Sequence, residues 1–79
     1  MVHKITDINE EINNLFVDLI QKNITGHRQS IIFLTNNQIT LNGRSVSVEL
    51  KGDALLVYDG NDRLKDIIDV NNIIAVVTK

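Results

Sequence analysis

The sequence predicts an α+β fold: one N-terminal helix packed on a strongly bent antiparallel meander of five or six short strands. Three observations carry that prediction. The hydrophobic period changes near residue 24, from a helical stripe to short runs of β-branched residues. Each later run ends in a break rich in Asn, Gly or Asp, the residues of tight turns. Ile, Val and Leu together number 28 of 79 residues, enough for one compact core. At this length the chain is one domain, 1–79, with the helix at about 7–23 and the meander at about 29–77.

The helix comes first. Ile8, Ile12, Leu15, Phe16, Leu19 and Ile20 fall on one stripe of a 3.6-residue period. Thr6 or Asp7 suits the first turn, and Asp7 with Glu10 has capping-box spacing. Gly26 is the expected left-handed exit. A helix this short is marginal alone in water, so its stripe must lie on the strands that follow.

The strands come next. Gln29 to Leu34 forms the first and ends at Asn36-Asn37, and Gln38 to Leu41 alternates as the second. Asn42-Gly43 reads in two ways. As a hairpin turn it makes six strands. As a bend inside one long strand it makes five, with the glycine where a small SH3-like barrel curls. Arg44 to Leu50 alternates again, with Val46, Val48 and Leu50 on one face. Ala54 to Tyr58 is continuously apolar, the pattern of a central strand covered on both faces. Asp59-Gly60-Asn61 is a second hairpin turn. Arg63 to Val70 and Ile73 to Val77 are the last strands, joined at Asn71-Asn72.

Composition excludes several classes. There is no cysteine, hence no disulfide and no thiolate metal ligand, and the longest apolar run, Ile73 to Val77, cannot span a bilayer. The N-terminus lacks the order of a signal peptide, so a cytoplasmic location is expected. Formal charge is −2. Residues 7–23 hold four acidic groups and one basic, a net of −3, whereas residues 27–79 hold six of each. Arg28, Arg44, Lys51, Arg63 and Lys65 are the candidates for a local basic patch.

The end of the chain is unusual. Ile73 to Val77 shows no polar alternation, which predicts cover on both faces, and Ile67 beside Ile68 puts one of the two outside the core. Edge strands are normally blunted by charge or proline. This chain has no proline, and Lys79 is the only charge after Asp69. Self-association through Ile67, Ile73, Ile74 and Val76 is therefore expected.

The order of helix and strands, with a glycine in the bent second strand, resembles the Sm-like family, most closely its bacterial RNA-chaperone branch. Ser30 to Leu34 with the Asn-rich turn resembles the first strand, Leu41-Asn42-Gly43 the first Sm motif, and Ile67 to Val77 the second motif and last strand. The resemblance implies a small SH3/Sm-like barrel, a homo-oligomeric ring and single-stranded RNA as ligand. Where that branch carries Tyr-Lys-His-Ala, this chain carries Asp69-Val70-Asn71-Asn72. Weak RNA contact would then rest on Asn71, Asn72 and Arg28.

Catalysis is not expected. His3 and His27 lie far apart and have no carboxylate or thiol at ligand spacing. Ser30, Ser45 and Ser47 have no local base, the four glycines form no phosphate loop, and no cofactor motif is present. The expected function is non-catalytic binding or assembly. A protein-interaction module without a nucleic-acid role, of an accessory, immunity or phage type, is the alternative.

Overall fold

The computed structural model describes residues 5–79, with side chains from Glu10 onward. His3, and the side chains of Thr6, Asp7 and Ile8, lie outside that range. The described helix α1 runs Ile5–Thr25 and extends the expected span at both ends. The left-handed residue at its exit is His27, at φ 57, and not Gly26. Gly26 still donates its N–H to the Lys22 carbonyl at 2.9 Å and so continues the helical pattern.

Six strands follow: β1 (Gln29–Leu34), β2 (Gln38–Asn42), β3 (Ser47–Lys51), β4 (Ala54–Tyr58), β5 (Leu64–Asp69) and β6 (Ile73–Thr78). They form two antiparallel three-stranded sheets. Sheet I has the order β2-β1-β6 and sheet II the order β3-β4-β5. A 3₁₀ turn, Val70–Asn72, links β5 to β6. No ladder joins the two sheets among the described residues, so the strands do not close into a barrel.

Asn42-Gly43 is neither a hairpin nor the interior of one strand. It is where the chain leaves sheet I for sheet II. Neither residue has the positive φ that a primed hairpin turn requires. The Asn42 carbonyl accepts N–H groups from Ser45 and Val46 at 3.0 and 3.2 Å. This local turn delays β3 to Ser47.

The core lies between the sheets and under one flank of α1. It contains Val17 and Ile20 of the helix, Ile32 and Leu41 of sheet I, Leu55, Val57 and Ile68 of sheet II, and Val70 and Ile73. The helix packs on β6, β1, β3 and the 3₁₀ turn. Two expectations of cover on both faces are corrected. In β4 only Leu55 and Val57 are buried, while Ala54, Leu56 and Tyr58 are half-buried on an outer face that no layer covers among the described residues. In β6, Ile73 is buried but Ile74 and Val77 are exposed. Phe33 lies on the outer face of β1, alternating with buried Ile32.

Candidate functional site

Among the described residues each sheet leaves two free edges, and their side chains differ. The β2 edge exposes Gln38, Thr40 and Asn42, and the β3 edge exposes Ser47, Glu49 and Lys51. The β2 edge is blunted by polar groups, whereas on β3 the polar groups flank Leu50, which is 40% exposed. The β5 and β6 edges each expose two large apolar side chains: Leu64 at 52% and Ile67 at 57% on β5, beside exposed Lys65 and Asp69, and Ile74 at 60% and Val77 at 44% on β6.

Local geometry produces this exposure. The β1–β6 register shifts between Phe33 and Leu34, which leaves Ile74 without a partner on β1. Such a bulge turns its extra side chain away from the alternation. The β4–β5 register shifts beside Tyr58, and Lys65 is the residue left over there. Outside sheet I, Ile31 pairs with Val77 and Phe33 with Ala75. Outside sheet II, Leu56 pairs with Ile67. Each apolar face therefore adjoins one apolar edge.

Of the residues expected at the oligomer edge, Ile67 and Ile74 are exposed on their strands. Ile73 is buried and Val76 packs against the core, so these two contribute backbone groups rather than side chains to the edge. Leu64 and Val77 take their place. Leu64 gave no signal because it sits in a charged stretch, Arg63-Leu64-Lys65-Asp66.

Asn71 and Asn72 occupy the 3₁₀ turn between the two edges. Asp69 caps it, its Oδ1 accepting the Asn71 N–H at 3.0 Å. Asn13 of the helix donates through Nδ2 to Asn71 Oδ1 at 2.8 Å. An open groove runs past this pair, lined by Glu10, Asn13, Asn14, Leu50, Asp53 and Asn71. Its charged groups are carboxylates, which repel phosphate.

Arg28 is not brought to these asparagines. It precedes β1 at the end where Ser30 meets Thr78, whereas Asn72 lies beyond the end where Leu34 meets Ile73. Six residues of strand, roughly 20 Å at the usual rise, separate the two ends. The basic candidates also divide. Arg28 and Arg44 flank the bend at Gly43 and Arg63 leads into β5, whereas Lys51, at the far end of β3 opposite Ala54, lines a groove with Asn71, Asp53 and Asp69.

A second polar cluster is buried. Asn23 of the helix donates through Nδ2 to Ser30 Oγ at 2.9 Å and accepts from Thr78 Oγ1 at 3.1 Å through Oδ1. Its carbonyl accepts the Arg28 N–H at 2.7 Å, and the Arg28 carbonyl accepts the Gly43 N–H at 2.9 Å. Helix end, β1, β6 and the β2–β3 bend thus meet in one joint, and no buried side-chain polar atom lacks a partner among the described residues.

No group of three or more His, Asp or Glu residues is arranged to hold a metal ion among the described residues. No described helix is long and apolar enough to cross a membrane. Compared with protein-family models, curated proteins and solved structures, the chain matches none.

Proposed function

We propose that this chain is a non-catalytic assembly domain whose copies associate head to tail, the β5 edge of one against the β6 edge of the next. One observation carries the reading: among the described residues the β5 and β6 edges each expose two large apolar side chains, Leu64 and Ile67 on β5 and Ile74 and Val77 on β6, whereas the β2 edge exposes none and the β3 edge only Leu50. Joining unlike edges is a heterologous contact, which yields a ring when the rotation closes and a filament when it does not.

The more specific form is an Sm-like ring. The helix-first order, the bend at Asn42-Gly43 and the short 3₁₀ turn before the last strand support it; the division into two unjoined three-stranded sheets does not. Single-stranded RNA is the ligand that the resemblance implies. The acidic groove beside Asn71 and the distance to Arg28 favour assembly over RNA binding as the primary role.

The test is native mass in solution against the 8.9 kDa of one copy. A multiple of that mass is expected at micromolar concentration, and Ile67→Lys with Ile74→Lys should return it to one copy while the fold persists. A single-copy mass at every concentration would sink the reading. A raised 260/280 absorbance ratio after purification would add RNA.

A second reading has its own support. Leu15 is 66% exposed on the helix, and Ile12, 43% exposed, lines one groove with Ile74 of β6. A different protein docking there would make this an interaction module. A salt-insensitive protein partner lost on Leu15→Gln, with native mass unchanged, would favour it.

A further inference from the structure

We propose that Asn42-Gly43 is a latent modification site whose conversion the folded joint holds closed. Asn42 is the one asparagine in the chain followed by glycine. With no side chain on the following residue, such an asparagine is open to attack by the next backbone nitrogen. Hydroxide removes the Gly43 N–H proton, the nitrogen bonds to Asn42 Cγ, and the carboxamide C–N bond breaks. Ammonia leaves and a succinimide ring remains. Water then opens the ring at one of its two carbonyls, giving aspartate or isoaspartate.

The exposure of Asn42 and the packing of Gly43 act in opposite directions. The Asn42 side chain is exposed and lies forward over the turn, its Oδ1 accepting the Arg44 N–H at 3.1 Å. The attacking nitrogen is not free. Its proton is engaged by the Arg28 carbonyl at 2.9 Å. Gly43 is buried, and a Cβ built on it would stand 2.6 Å from the Arg28 carbonyl oxygen, 2.8 Å from that of Asn23 and 2.9 Å from Ile24 Cα. The peptide has no room to turn toward Cγ until this wall withdraws. Conversion therefore proceeds through an opened joint, and its rate follows the population of that opened state. Isoaspartate lengthens the backbone beside Gly43, so the joint cannot re-form as before and the change records the opening.

The experiment incubates the full chain at mildly alkaline pH, in native buffer and in urea that unfolds it, and follows each asparagine by peptide mass mapping. In urea, Asn42 is expected to convert ahead of the other asparagines. In native buffer its rate should fall at least about tenfold, which an opening cost of about 1.4 kcal/mol produces. Thr78→Val, which removes one bond to Asn23 and leaves the helix intact, should raise the native rate and leave the urea rate unchanged. Equal rates in the two conditions would overturn the proposal, as would a native rate unmoved by Thr78→Val. Slow deuterium exchange of the Gly43 amide in the unmodified chain is expected alongside, and fast exchange there would count against the lock.

Discussion

Asn23 shows how a single polar side chain can decide a docking geometry. It is buried near the end of an otherwise amphipathic helix and satisfies Ser30 and Thr78 together. Sliding the helix by a turn would strand the buried Asn23 and Ser30 side chains, each costing about 1–3 kcal/mol, and the part-buried Thr78 hydroxyl. Asn23→Ala should therefore destabilise by about that amount, read as a lower urea midpoint. Gly43 is the steric counterpart. The atoms that a Cβ would meet are two carbonyl oxygens and a Cα, all backbone, which cannot swing aside as a flexible side chain would. Gly43→Ala should cost about 1–3 kcal/mol through overpacking, measured in the same titration. Gly52 is the contrast: its φ of +59 favours glycine, but nothing lies within 4 Å of a Cβ there. Gly52→Asn should leave the midpoint nearly unchanged, because Asn tolerates that conformation.

At the scale of elements, the helix separates what period can and cannot reveal. The 3.6-residue repeat was plain in Ile8, Ile12, Leu15, Phe16, Leu19 and Ile20. The face that turns inward is rotated from that stripe. Val17, Ile20 and Asn23 are buried, Phe16 and Ile24 partly so, and Ile12 and Leu15 remain open. The apolar arc is wider than the sheets can cover, and periodicity does not state which part meets them. That choice rests on Asn23, whose partners are 7 and 55 residues away in sequence. Ile20→Ala should then cost about 2–5 kcal/mol by emptying a fully buried position. Leu15→Gln should stay within about 0.5 kcal/mol, and a large loss there would contradict the packing described. The strands were legible where turns punctuate them: β1, β4 and β5 fall within a residue or so of their expected limits. Asn42-Gly43 was not, because the decisive hydrogen bond, to Arg28, is tertiary and leaves no local trace. Apolar runs in β4 and β6 suggested two covered faces for a similar reason: composition registers hydrophobicity, while cover depends on a layer that the described residues do not supply.

For the whole molecule, the arrangement of edges matters more than any one side chain. Each copy offers one apolar edge from sheet I and one from sheet II, both beside the 3₁₀ turn. Because the edges are unlike, mixing Ile67→Lys chains with Ile74→Lys chains tests head-to-tail order directly. Each variant keeps one intact edge, so the mixture should form pairs seen by light scattering, while each variant alone should not propagate beyond its one sound edge. Larger assemblies from either variant alone would contradict pairing through these strands.

The pairing of β1 with β6 also imposes a timetable. Ser30 meets Thr78 and Leu34 meets Ile73, so among the described strands the first pairs with the last. Until residue 78 has left the ribosome, one whole side of β1 presents unclaimed N–H and carbonyl groups above the apolar Ile31 and Phe33. Distant closures of this kind slow folding relative to local ones. The β1–β2 hairpin can therefore form before β6 docks, and in that interval a second copy could claim the open side of β1.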